Sequence, residues 1–196
     1  MPVVDLKPAA SRLGELVAAV PDEALGNSTP CTEYTVGDLL DHIHGITYAF
    51  GGAAEKATGE TSTMGPQGNA ANLPDDWRTV IPQKLTELAA KWDKPEAWEG
   101  ETSVGGQGMP AEAIGVITFG ELSVHGWDLS QSTGIPFDPD PAGVEAFHEL
   151  TSGFLGGPNG DQMRGTAFGP AVPVAEDAPI FERALGVLGR DPHWKA

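Results

Sequence analysis

The stretch from about residue 111 to residue 131, AEAIGVITFGELSVHGWDLSQ, limits what this chain can fold into more than any other segment. On a helix advancing 100° per residue, Ile114, Ile117, Thr118, Glu121, Val124, His125 and Asp128 fall on one stripe. Val116, Phe119, Leu122, Trp127 and Leu129 cover the remaining sides. A helix that is apolar nearly all round is a buried helix. Glu121, His125 and Asp128 are then carried toward an interior where an unpaired charge is very costly. Something inside the fold has to compensate them.

A Glu and a His four residues apart lie on the same helix face with their Cβ atoms roughly 5–6 Å apart. That spacing lets a carboxylate and an imidazole converge on one cation, as paired ligands do inside metal-binding bundles. Two ligands do not close a site, so a third is expected from a facing helix. Asp41-His42-Ile43-His44 supplies the candidates. If Ile43 marks the centre of the apolar stripe, His42 lies about 100° to one side and His44 about 100° to the other. Spacing alone leaves the two tied. Asp128, one turn past His125, is placed to hydrogen-bond a ligand or to orient a bound substrate. The plainer alternative is a set of hydrogen-bonded core residues with no ligand at all.

The other elements suggest what surrounds this helix. A first helix over about 6–20 places Leu13, Leu16, Val17 and Val20 on one face and stops at Pro21. Thr35-Val36-Gly37-Asp38 has capping-box spacing, with Asp in place of Glu, and opens a second helix running to about residue 56. Residues 57–73 form a polar connection long enough to be a lid or binding loop. A third helix follows Asp75-Asp76 to about Trp92, carrying Val80, Leu85, Leu88 and Ala89. Pro95 to Pro110 is Gly-rich and expected to be extended or irregular. The fourth helix stops at Gly134 with Pro136 beyond it. A fifth helix is expected over 141–155, with Val144, Phe147 and Leu150 inward, then an irregular stretch over 156–176 and a last helix over about 178–189. These elements predict an all-α protein: one domain, an antiparallel four-helix bundle over about 5–134 with a partly irregular C-terminal extension over about 135–196.

Composition narrows the partners. The formal net charge is −17, and such a surface gains nothing from phosphate backbones or anionic lipid, so neither nucleic acid nor a membrane is an expected partner. No run approaches the roughly 18–20 apolar residues of a membrane span. The N-terminus shows no basic segment followed by an apolar run, and a cytoplasmic location is expected. Cys31 is the sole cysteine, which excludes an intramolecular disulfide. With no histidine near it in sequence, it reads as a small core residue rather than a nucleophile. His148 is expected in the core or at the surface, and His193 in solvent. Arg164 reads as a surface residue, with an anion-binding role as the alternative.

Three ordered motifs carry a family resemblance. Thr29-Pro30-Cys31-Thr32-Glu33-Tyr34-Thr35-Val36-Gly37-Asp38-Leu39-Leu40-Asp41-His42 resembles the opening motif of an actinobacterial branch of the DinB-like metal-binding superfamily. Glu121-Leu122-Ser123-Val124-His125-Gly126-Trp127-Asp128-Leu129 resembles its second motif. Phe168-Gly169-Pro170, Ala178-Pro179 and Leu188-Gly189-Arg190-Asp191-Pro192 resemble its ending. The resemblance implies a four-helix bundle that holds zinc, nickel or another divalent ion with three side chains. It places those ligands on His42, not His44, and on Glu121 and His125. The superfamily includes mycothiol-dependent maleylpyruvate isomerase and related thiol S-transferases, and the isomerase has a further C-terminal domain that this chain is expected to lack.

The function expected on that basis is that of a thiol-dependent transferase or isomerase: transfer or addition of a low-molecular-weight thiol, mycothiol by resemblance and held as a metal-bound thiolate, to an electrophilic small molecule. Zinc is the expected ion, with three protein ligands and an open position as in catalytic sites. Asp128 and Arg164 are the candidates for positioning the substrate. Two alternatives stand beside it: hydrolysis by a metal-bound water, and a non-catalytic metal- or small-ligand-binding protein of the same fold. Both a monomer and a homodimer are compatible with the sequence.

Overall fold

Local chemistry sets the ends of three of the main helices. The computed structural model describes residues 4–58, 67–157, 160–164 and 168–195. Helix α1 (Lys7–Ala19) carries Pro8 in its first turn, where the missing N–H costs nothing, and breaks at Val20 before Pro21. Helix α2 (Val36–Ala54) begins with the capping box anticipated from its sequence. The Asp38 amide donates to Thr35 Oγ1, and the Thr35 amide donates back to Asp38 Oδ2 at 2.9 Å. Helix α3 (Trp77–Trp92) buries Ile81, Leu85, Leu88 and Ala89 and packs half-buried Val80 against the core. Helix α4 (Ala111–Thr133) ends at Gly134 in the left-handed conformation, φ 70°.

These four helices form the bundle. α3 packs on both α1 and α2, and α4 packs on both α2 and α1, so consecutive α1 and α2 lie diagonally opposite. α2 and α4 run antiparallel. Beyond the start of α2, Asn27 Nδ2 donates to Ser132 O near the end of α4. At the far end of α2, Ala53 O accepts from Thr102 Oγ1, in the hairpin that leads into α4. Leu39, Leu40, Ile43 and Ile46 of α2 meet Ile81, Leu85, Ile114 and Leu122 in a core where none of them exceeds 2% exposure.

The Gly-rich stretch before α4, expected to be extended or irregular, is in part extended and forms a hairpin. A short 3-10 turn (Pro95–Trp98) leads into strands β1 (Glu101–Val104) and β2 (Gln107–Pro110), paired antiparallel. Gly105 and Gly106 have φ of 60° and 77°, the two positive values that a type I′ hairpin turn requires. The fold is thus mostly helical, with one small two-stranded sheet.

The C-terminal extension explains why α4 is apolar on every side. Helix α5 (Pro141–Leu155) packs on the face of α4 turned away from the bundle. Phe119 and Phe147 meet edge to face at 6.3 Å. The approach is so close that a Cβ at Gly120 would lie 2.0 Å from the Phe147 ring. A short helix α6 (Gly160–Arg164) and helix α7 (Ile180–Val187) complete the extension, with α7 against α5. Helix α4 is therefore a wall shared by two packed layers, and only one edge of its polar stripe reaches solvent. Within the 57–73 connection, residues 59–66 lie outside the described residues. Its end is a 3-10 turn (Ala70–Asn72) held against α2 by Asn69 N–H to Asp41 and Ala70 N–H to Asp38. No helix among the described residues is long and apolar enough to cross a membrane.

Candidate metal centre

The antiparallel pairing of α2 and α4 brings His42, near the start of α2, opposite Glu121 and His125, at and just past the middle of α4. His42 Nε2 lies 3.1 Å from His125 Nε2. Glu121 Oε2 lies 3.3 Å from His125 Nε2 and 3.7 Å from His42 Nε2. A triangle with those sides has a circumradius of about 2.0 Å, close to the roughly 2.0–2.2 Å that zinc keeps from imidazole nitrogen and carboxylate oxygen. These three residues are the one such group of potential metal-binding side chains among the described residues. His44, the alternative that spacing left open, turns to the other flank of α2 and packs its ring edge-on to Tyr48 at 5.1 Å.

Burial and charge act strongly on the cluster. The side chains of His42 and His125 are 11% and 8% exposed, and that of Glu121 is 25% exposed. Burial alone would lower the pKa of His125, but hydrogen bonds and charge from Asp128 and Glu121 outweigh it and lift it to about 9. Burial would raise the Glu121 carboxyl, yet the two imidazoles hold it well below the usual carboxylate range. Three groups that each offer a lone pair to the same point can hold a divalent cation. Without one, the cluster balances itself through a proton on His125.

Asp128 stands behind this trio, as its spacing suggested. Its side chain is fully buried, and Oδ2 sits 2.9 Å from His125 Nδ1. The same oxygen accepts from Arg190 Nη2 at 3.3 Å. Burial would raise the Asp128 pKa, but the Arg190 guanidinium and then His125 depress it. Arg190 escaped the sequence analysis as a site residue, because it lies 62 positions from its partner in a segment with no helical periodicity. The one signal was its place in the Leu188-Gly189-Arg190-Asp191-Pro192 ending.

Arg164 corrects an expectation: it is 5% exposed, not a surface residue. Its guanidinium donates to the carbonyls of Val187 at 2.7 Å, Gly169 at 3.1 Å and Leu155 at 3.5 Å, knitting the extension together. Cys31 is half-buried, and burial, together with the charges of Asp128 and Glu121, pushes its thiol up to about 11 against the opposing pull of Arg190. Tyr34 was also missed. Its ring packs at 5.3 Å from that of His42, and its hydroxyl accepts from Gly68 N–H at 3.2 Å. His148 is half-buried within reach of Ser152, and His193 is exposed, as expected.

Fold and cluster together define a class: helical bundles that gather two imidazoles and one carboxylate at an interior point between facing helices. The chain belongs to the family described as the mycothiol maleylpyruvate isomerase N-terminal domain, whose model matches residues 6–130. Two proteins from two strains of Mycobacterium tuberculosis, both named only as uncharacterized, are each 26% identical over 203 residues, spanning 96% of this chain and 97% of theirs. Two crystal structures of mycothiol-dependent maleylpyruvate isomerase, one of a histidine-to-alanine variant, share the fold with TM-scores of 0.59 and 0.57. Each is 16% identical and covers 79% of this chain and 70% of its own.

Proposed function

We propose that the chain is a divalent-metal enzyme of thiol chemistry, holding one ion with His42, Glu121 and His125 and joining a low-molecular-weight thiol to an electrophilic small molecule. The observation that carries this reading is the convergence of two imidazole Nε2 atoms and a carboxylate oxygen, with sides of 3.1, 3.3 and 3.7 Å, in the interior of a bundle. The donor set fits zinc best, and nickel or another divalent ion acceptably, since two His and one Glu leave a position for an outside ligand. Mycothiol is the thiol suggested by the family's name and by the likeness to mycothiol-dependent maleylpyruvate isomerase.

A divalent ion at this point would supply a Lewis acid that favours the thiolate form of a sulfur brought to it. The chain's own groups do the rest. With its Nδ1–H directed at Asp128, His125 keeps the Nε2 lone pair facing the cluster. Tyr34 walls the His42 side of the cluster and keeps water off that ring. Cys31, held protonated well above neutral pH, does not compete as the nucleophile, so the reacting sulfur comes from outside the chain. Glu121 keeps the solvent-facing edge of the trio anionic and open.

The test combines two measurements: metal content by elemental analysis after loading with Zn(II), and turnover of a chromogenic haloarene with and without added thiol. The reading expects one equivalent of metal and a thiol- and metal-dependent rate. One equivalent with no rate for any thiol would reduce the protein to a metal-binding module. No metal in the folded wild type would remove the reading altogether.

A further inference from the structure

We infer that Arg190 is a positioning residue for His125, acting through Asp128, so that the C-terminal extension is part of the metal site. The inference rests on the metal-binding reading above and adds to it a residue from outside the bundle.

Asp128 is a buried carboxylate anchored through one oxygen. Oδ2 meets both His125 Nδ1 and Arg190 Nη2, and Oδ1 has no hydrogen-bond partner among the described residues. A carboxylate held at one oxygen by one imidazole alone is fixed from one direction only. The guanidinium supplies the second fixed point. With Asp128 fixed, Nδ1–H of His125 has one direction to donate in, and the opposite nitrogen is left as a lone pair aimed at His42 and Glu121. Groups that orient a metal-ligating histidine in this way typically control affinity 10–100-fold.

The chain gives Arg190 a specified place. Helix α7 ends with the Arg190 amide donating to Leu185 O at 2.9 Å and the Gly189 amide to Gly186 O at 3.0 Å. That pairing has the Schellman form, and it needs Gly189 in the left-handed region at φ 82°. A Cβ at Gly189 would also lie 2.9 Å from the Gly169 backbone. The cap thus fixes where the arginine leaves the chain, and Nη1, bonded to Leu188 O at 3.3 Å, fixes one arm of the fork. The other buried arginine of the extension, Arg164, is engaged with the backbone carbonyls of Leu155, Gly169 and Val187 and does not share this task. Arg190 is 9% exposed, so bulk water is a poor substitute for its bond.

The experiment titrates Co(II) into metal-free protein, follows its visible bands, and ranks Zn(II) affinity by competition with a chromophoric chelator. The forms compared are wild type, Arg190→Gln, Arg190→Lys, Asp128→Asn and the double variant Asp128→Asn/Arg190→Gln. Arg190→Gln should weaken Zn(II) binding about tenfold or more and alter the Co(II) bands. Adding it to Asp128→Asn should cost less than about twofold, because its effect runs through Asp128. Should Arg190→Gln fail to fold, Arg190→Lys decides: a compact ammonium lacks the rigid planar fork whose two arms bond Asp128 and Leu188 O, and at least about threefold weaker binding is expected. Wild-type affinity in the folded Gln or Lys variant overturns the inference, as does an equal loss in both backgrounds. Wild type that binds no Co(II) overturns the metal reading itself, which is a separate result.

Discussion

Replacing Asp128 by alanine tests the electrostatic account of the site without any metal. The side chain is fully buried and serves two cationic partners at once, at 2.9 Å and 3.3 Å. Its removal leaves the Arg190 guanidinium, 10% exposed, with no carboxylate to answer it. Breaking a buried ion pair from one side costs about 3–5 kcal/mol, because the surviving charge stays desolvated. For a chain of this length each kcal/mol lowers Tm by roughly 2–4 °C, so a drop of roughly 6–20 °C is expected. The assay is thermal unfolding followed by circular dichroism, run with chelator so that metal binding does not mask the difference. Asp128→Asn keeps the volume and an acceptor and should fall between the two. The double variant Asp128→Leu/Arg190→Met removes both charges and should recover most of the loss. An alanine variant melting within about 2 °C of wild type, or a double variant no better than the single one, would refute the reasoning.

Glu121→Ala and His125→Ala should each lose metal by elemental analysis while staying folded; full occupancy in both would remove the ligand assignment. Cys31 alkylation should be slow at pH 7–8 and rise about tenfold per pH unit toward about 11, and a fast reaction at neutral pH would contradict the burial argument. The same raised pKa favours the protonated thiol in the folded state. Its contribution to stability is whole below the unfolded value of 9.0 and is lost as pH rises through about 11, which chemical denaturation across that window will read. Gly120→Ala places a Cβ against the Phe147 ring, and overpacking of about 1–3 kcal/mol should exceed the gain of about 1 kcal/mol in helix propensity. A higher Tm in that variant would contradict the packing described for α4 and α5.

The helices and the burial of α4 were visible in sequence because both leave periodic or compositional marks. The Thr35–Asp38 capping box needs four residues to specify, and all four were adjacent. The hairpin at 101–110 was hidden because two four-residue strands are too short to show alternation, and its Gly-Gly turn resembles loop composition. The His42–His44 choice shows the limit of helical geometry. Two residues flanking a stripe centre are equivalent until the partner helix is known, and here α4 lies on the His42 side while Tyr48 takes His44. Arg190 depends on a contact across 62 residues, and no local rule reports such a pairing. Arg164 was misplaced for a related reason, since an isolated arginine in a polar segment gives no sign that three backbone carbonyls will enclose it.

The double burial of α4 also accounts for why the site sits where it does. A helix packed on one face would have let Asp128 reach water, and an exposed carboxylate hydrogen-bonds an imidazole only weakly against solvent competition. With α5 and the α7 cap closing the second face, the Asp128–His125 bond lies in a medium of low polarity, where charge and hydrogen bonding act with more force. The same closure would be ruinous for an unpaired aspartate, and Arg190 arrives through the segment that does the closing. The family match ends at residue 130, yet Arg190, the guanidinium that shares Asp128 with His125, comes from beyond it and is placed by the cap at residues 185–190. Bundle and extension are therefore coupled through one buried carboxylate: the bundle supplies the ligands, and the extension sets the environment in which His125 is held to its task.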